Sequence, residues 1–304
     1  MEKNRTTNKK TRPAPRRQRR DAGSRRSTTR DIDILHLGAE QTFVRFDTVG
    51  EWLAPDYSPA TDLPPPAQLE DSTPPAKRAW PQDLRHRLMA VSRLMRKLES
   101  QGYVEIIQPW ANQPAWFRVT TRGLRSLNLD WEEIPFPEAE DVEARLRHDR
   151  YYTSHNHMVN EVRLLLARGG AGAPLHTWRG ERAIEEILPL REYGTRRPHK
   201  ADGILYLQED GSWDLRASNG TVLQTITMQA QQIIGIEVEC TQKSNKRLLE
   251  ILPDLLEHHD FVWYFCLNNS IRQAVSVARR DAFTNDEQRQ RIRILKLEEY
   301  LPCP

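Results

Sequence analysis

This sequence predicts an α+β protein of two domains, the second shading into α/β, and three observations predict it. Leu84, Leu88, Val91, Leu94, Met95 and Leu98 recur at helical spacing over residues 83–101, one apolar stripe on an otherwise charged segment. Residues 233–239 and 261–267 are apolar runs of strand length, with a helical pattern over 245–258 between them. Stretches rich in Pro or charge at 1–29, 54–81 and 131–140 punctuate the chain, and its 304 residues suit about two domains.

Charge is unevenly placed. The net +3 combines residues 1–30, which hold 12 Lys/Arg and two acids, with a remainder of 33 basic and 40 acidic residues. A basic arm on a mildly acidic body suits a polyanion. With little to bury, residues 1–30 are expected to be a disordered basic tail. Cys240, Cys266 and Cys303 make no C-x-x-C spacing, which argues against a zinc finger and for a reduced, cytoplasmic protein. No apolar run approaches about 18 residues, so neither a spanning helix nor a membrane partner is expected. The N-terminus also lacks the apolar segment of a secretory signal. Without a G-x-x-x-x-G-K-[ST] stretch, no nucleotide cofactor is expected.

Residues 31–130 read as the first domain. Ile32, Ile34, Leu35 and Leu37 start a helix with Asp31 near its N-terminus, and a second helix is expected over 48–53. Residues 54–81 contain 8 of the 20 prolines and read as a Pro-rich loop. The amphipathic helix over 83–101 follows, stopped by Gly102. Its polar face carries Arg85, Arg87, Arg93, Arg96 and Lys97. Strands at 103–108 and 116–119 form a hairpin, followed by Thr120-Thr121-Arg122-Gly123. This succession resembles a winged helix-turn-helix. The resemblance implies DNA as partner, with the third helix in the major groove and the hairpin on the flanking backbone. Arg118 and Arg122 join the expected DNA contacts.

Residues 131–140 read as a linker, and residues 141–304 as the second domain. A long helix should run to Ala167. Strands are expected at 175–178, 203–207, 213–217, 221–227, 233–239 and 261–267. A helix near 271–281 and a strand at 291–297 close the chain.

Within this second domain, the run Ile233–Glu239 ends in acid-x-acid. Strand side chains alternate, so Glu237 and Glu239 share a face. Asp202 precedes another apolar run, Ile204-Leu205-Tyr206-Leu207. Three carboxylates brought together call for a positive charge, and Mg²⁺ is a hard ion that takes oxygen ligands. Helix, strand, strand, acidic strand, helix, strand is similar to the core order of the PD-(D/E)XK nucleases. That resemblance implies a mixed sheet flanked by helices. It assigns Asp202 and Glu237 as ligands of Mg²⁺, or of Mn²⁺ in its place. Glu239 stands at the usual lysine position, and Lys243, at the following helix, is the relocated lysine. Glu161 on the first long helix matches a further acid, for a second metal.

His157-x-x-Asn160-Glu161, Trp178-x-x-Glu181, Asp202 and Glu237-Val238-Glu239-Cys240-Thr241-Gln242-Lys243 together resemble the replication-relaxation proteins of bacterial plasmids and integrative elements. The similarity spans most of residues 30–300. It implies a role in replication, mobilisation or DNA relaxation of a mobile element. It leaves two alternatives: a Mg²⁺-dependent DNA endonuclease, or a non-catalytic DNA-binding accessory factor. A homodimer or element-encoded replication or transposition proteins are the expected protein partners. His155-Asn156-His157 spells H-N-H, but consecutively within a helix, and is set aside. Cys240 has no His–Asp arrangement evident in the sequence to make it a nucleophile.

Overall fold

The structure is a computed structural model, and it describes residues 28–53, 82–110, 113–127, 149–168, 178–180, 199–207, 209–216 and 221–301. Most of the basic tail, the Pro-rich stretch and the linker expected from sequence lie outside the described residues. The architecture is mixed α and β, with three sheets among the described residues.

The first unit begins two residues earlier than expected. Helix α1 (Thr29–Glu40) starts at Thr29 because Thr28 and Asp31 form a reciprocal capping box, each side chain taking the other's backbone N–H. Strand β1 (Val44–Arg45) leads directly into α2 (Phe46–Trp52). Helix α3 (Gln82–Ser100) turns Val91, Met95 and Leu98 inward, where they are buried. It ends at Gly102, whose φ of 74° lies in the left-handed region that glycine adopts without strain. Strands β2 (Val104–Ile107) and β3 (Trp116–Val119) complete a three-stranded antiparallel sheet of order β1-β3-β2. Helix α4 (Thr121–Ser126) follows, its N-cap Thr120 accepting the Gly123 N–H. Ile34, Leu35, Leu37, Val49, Val91, Met95, Phe117 and Val119 form one buried core.

The first described element of the second unit is α5 (Arg150–Arg168). A five-stranded sheet of order β10-β9-β8-β5-β4 is built from β4 (Trp178–Gly180), β5 (Gly203–Tyr206), β8 (Ile233–Glu239), β9 (Phe261–Cys266) and β10 (Ile292–Lys296). Strands β4, β5 and β8 pair antiparallel, whereas β8, β9 and β10 pair parallel. The parallel steps need crossovers, which α6 (Asn245–His258) and α7 (Asn269–Ala282) supply, the latter followed by the short α8 (Asp286–Gln290). Strands β6 (Gly211–Arg216) and β7 (Val222–Met228) stand apart as a two-stranded hairpin. Val162, Leu165 and Leu166 of α5 pack on one face of the sheet with Ile236, Val238, Trp263 and Phe265. Leu248, Leu252 and Leu255 of α6 and Ile271 and Val275 of α7 cover the other with Val262, Tyr264 and Cys266.

The two units are packed tightly together, a feature the linker-based division did not anticipate. Arg163 of α5 is fully buried, its Nε 3.1 Å from Glu40 Oε2 at the end of α1. Its guanidinium lies over the rings of Trp52, at 5.0 Å, and Trp178, at 5.2 Å. The Asn160 side-chain amide donates to the Phe43 carbonyl at 2.7 Å. A Cβ on Gly180 would stand 1.6 Å from the Glu40 carbonyl oxygen, so only glycine lets β4 approach α1 this closely.

Candidate functional site

Strand alternation places Glu237 and Glu239 on one face of β8, as the sequence predicts. Their partners in register on β9 are Tyr264 and Cys266, so this face is the one covered by α6 and α7. Glu237 is 2% exposed and Glu239 0%. Two carboxylates one step apart on a dry face repel unless a cation joins them. Lys243 supplies it. It follows β8 in the turn before the α6 N-cap Ser244, and its Nζ lies 3.4 Å from Glu237 Oε1 and in direct contact with Glu239 Oε2. The Tyr264 hydroxyl donates to the same Glu239 oxygen at 3.0 Å. Burial, then the Glu237 and Glu239 charges, push the Tyr264 phenol well above its ordinary value, keeping it a donor. Burial first, then Glu239, pushes the Cys266 thiol up to about 12, which leaves it inert.

Asp202 sits just before β5 and is pinned to β8 by the Val238 N–H, which donates to Oδ2 at 2.7 Å. Its Oδ1 lies 2.9 Å from His155 Nε2. Burial alone would lower the His155 imidazole; hydrogen bonds to Asp202 and Cys240 outweigh it and push it up to about 11. Burial, then the Glu237 charge, raise Asp202 itself. The two shifts differ in what they favour: a charged pair for His155, a neutral acid for Asp202. The Val238 N–H fixes one oxygen as an acceptor, and a raised imidazole donates to the other, so we read the pair as an imidazolium and a carboxylate. His199 Nε2 lies 3.0 Å from Glu237 Oε1, and the His199 N–H donates to Asp254 on α6 at 3.2 Å.

Asp202, Glu237, Glu239 and Lys243 are thus gathered into one network. Glu161 is not among them. It stands roughly 120° around α5 from His155, and its oxygen lies 3.5 Å from the Thr48 hydroxyl and 3.8 Å from His157 Nδ1. It therefore serves the junction between the units. Asp202 itself is held at both oxygens, by His155 at one and the Val238 N–H at the other, which leaves each oxygen one further lone pair. Sequence reasoning missed His155, His199 and Tyr264. His199 stands three residues before Asp202, and Tyr264 lies in a plainly apolar strand. Only the cross-strand register of Tyr264 with Glu237 reveals its reach.

The expected metal can be tested against these groups. Glu237 Oε2 and Glu239 Oε1 are buried without a hydrogen-bond partner. Orphaned carboxylate oxygens are the hard donors that Mg²⁺ and Mn²⁺ take, so the donor chemistry fits. Among the described residues, no three His, Cys, Asp or Glu side chains already stand as a ligand set.

The expected DNA contacts divide as well. Arg87, Arg93 and Arg96 are exposed on α3, with Met89, 48% exposed, on the same helix. The Arg85 side chain lies outside the described residues. Lys97 is drawn out of this set: its Nζ is 2.7 Å from Asp31 Oδ2, because a buried carboxylate recruits the nearest ammonium. Arg118 pairs with Glu105 across the β2–β3 ladder at 2.7 Å, and the exposed Arg122 lies over the Tyr103 ring at 5.6 Å.

No known protein family, curated protein or solved structure matches the chain. Among the described residues, no helix is long and apolar enough to cross a membrane.

Proposed function

We propose that the chain binds DNA through a winged helix. Its second unit is a Mg²⁺- or Mn²⁺-dependent phosphodiesterase of PD-(D/E)XK type, as in the replication-relaxation proteins of bacterial mobile elements. The observation that carries this reading is Lys243 lodged against both Glu237 and Glu239, on the strand to which Asp202 is pinned. The order α5, β4, β5, β8, α6, β9 supports it, with hairpin β6–β7 as an insertion. So does the change from antiparallel to parallel pairing at β8.

Bound through Asp202 and Glu237, the divalent ion would supply Lewis acidity to a phosphate oxygen and acidity to a water. The side chains supply the rest. Glu239, oriented by the Tyr264 hydroxyl, accepts the proton of the attacking water. Lys243 donates to the charge that grows on the phosphorus-bound oxygens. His155 and the Val238 N–H hold the Asp202 carboxylate in place. Arg87, Arg93 and Arg96 bring the phosphate backbone to α3, and the basic N-terminal segment adds salt-sensitive affinity.

A second reading rests on a specific observation. Lys243, His155 and His199 already give each carboxylate a partner, so the network holds as a structural element, with Glu237 Oε2 and Glu239 Oε1 unmatched among the described residues. The chain is then a non-catalytic DNA-binding accessory factor of replication. Cleavage of supercoiled plasmid in Mg²⁺, Mn²⁺ or EDTA separates the two. Metal-dependent nicking or linearisation that disappears in Asp202→Ala/Glu237→Ala is expected. A gel shift without cutting in either metal would leave the accessory-factor reading standing.

A further inference from the structure

A cavity of about 450 Å³ opens where the first unit meets the start of α5. That volume is within the range of about 300–1,000 Å³ of small-molecule sites. It lies away from the carboxylate network, and the described residues that line it are two indoles, a guanidinium, hydroxyls, an imidazole and the Gln113 amide, with no carboxylate among them. Trp110, half-buried at the end of the β2 side of the hairpin, and the buried Trp116 of β3 contribute the aromatic surface. Arg45 contributes the charge. Its Nε and Nη2 donate to Asp47, and its Nη1 makes no hydrogen bond among the described residues. The exposed Ser154 adds a hydroxyl. His157 is kept neutral: burial first, then the Arg45 charge, push it down to about 4, so its ring both donates and accepts.

We propose that this cavity takes one unpaired nucleotide of the bound DNA, with its base stacked on Trp110, its phosphate at Arg45 Nη1, and its polar edge at Ser154 and His157. The inference rests on the DNA-binding reading above and adds a preference for unstacked nucleotides. The lining favours this ligand. An aromatic face stacks any base, and an arginine with donors left over meets the attached phosphate. No carboxylate appears among the described lining side chains, and the nearby Asp47 is already taken by Arg45, so little draws a cation in. A base inside a duplex cannot enter; only an extruded or single-stranded one can. Position gives the pocket a consequence. Ser154 and His157 lie within about 60° of one another on α5, and His155 projects roughly 100° or more away, toward Asp202. One helix therefore forms a wall of both the cavity and the carboxylate network. An unpaired nucleotide in the cavity would thus sit against the helix that holds the candidate metal ligand.

The test uses the full chain and two fluorescent duplexes, one fully paired and one carrying a single bulged 2-aminopurine. The bulged duplex is expected to bind on the order of ten- to a hundredfold tighter, with 2-aminopurine emission quenched by stacking. Trp110→Ala should lose both the preference and the quench while binding the paired duplex as before. Trp110→Phe, which keeps an aromatic face, should retain them. Equal affinity for the two duplexes without quenching would overturn the proposal while leaving the DNA-binding reading intact. So would a Trp110→Ala chain that behaves like the wild type. If neither duplex binds, the DNA-binding reading fails. Saturation transfer from the protein to free dAMP then decides the cavity by itself: transfer lost in Trp110→Ala supports it, and no transfer in the wild type refutes it.

Discussion

Replacing Glu40 by glutamine should make the protein more stable at pH 8 than at pH 5 relative to the wild type. Glu40 is 1% exposed and hydrogen-bonded to the buried Arg163. Burial raises its carboxyl to about 7, against the pull of the Arg163 charge and hydrogen bond. The unfolded chain titrates this group at its ordinary 4.5. Between 4.5 and about 7 the folded state therefore holds the proton and the unfolded state has lost it. Stability is then greatest below 4.5 and is lost as pH rises through that window. At 1.36 kcal/mol per pH unit, the loss is about 3 kcal/mol. Glutamine keeps an oxygen for Arg163 and does not titrate. Glu40→Gln should thus differ little from wild type at pH 5 and gain about 3 kcal/mol on it by pH 8, roughly 5 °C in Tm. Chemical denaturation of both proteins at the two pH values measures the difference. The contrary result is a variant that falls about 3–5 kcal/mol below wild type at pH 8, with a gap that widens with pH. It would mean that the ion pair outweighs burial, and the reasoning would be wrong.

Other substitutions probe other contacts. Gly180→Ala forces a methyl to within 1.6 Å of the Glu40 carbonyl and should cost about 3 kcal/mol or more in denaturant titrations. Lys243→Met removes the cation between Glu237 and Glu239 and should lower plasmid cutting about a hundredfold or more, with duplex binding in EDTA unchanged. Arg93→Ala/Arg96→Ala should weaken duplex binding and reduce the salt slope by roughly 2, read by anisotropy from low to high salt. Burial tends to raise the Asp31 carboxyl, but hydrogen bonds from Lys97 and Thr28 outweigh it and hold it below its ordinary 3.8. Its stabilisation is present above 3.8 and is lost as pH falls through the depressed folded value. Asp31→Asn should therefore flatten the acid end of a stability profile.

What the sequence disclosed and what it hid follow from the range of the forces involved. Period-two alternation in Ile233–Glu239 is local, so the shared face of Glu237 and Glu239 could be read before any fold was known. The apolar stripe of α3 and the stop at Gly102 are local in the same sense. Lys243 follows Glu239 by four residues and was within reach of the same reasoning. His155 was not. It meets Asp202 across 47 residues, and nothing in His155-Asn156-His157 says which ring turns toward the sheet. Glu161 shows the reverse error, since an acid on the expected helix turns out to face α2. Lys97 reads as one more cation on a basic face until Asp31, 66 residues away, is seen to be buried beside it. The junction of the units was hidden for the same reason: Glu40 and Arg163 are 123 residues apart.

That junction bears on how such a chain can be inherited. Arg163 belongs to α5, but its surroundings come from α1 through Glu40, from α2 through Trp52 and from β4 through Trp178. The sequence suggests an exchangeable module on either side of residues 131–140. A recombinant that kept one half and replaced the other would bury a guanidinium without the acceptor oxygen at position 40, or strip one indole from its cation. Such a hybrid would be selected against at the level of folding, before any question of activity arose. The halves should therefore descend together, with a side-chain acceptor, Glu or Gln, kept at position 40 wherever position 163 is Arg.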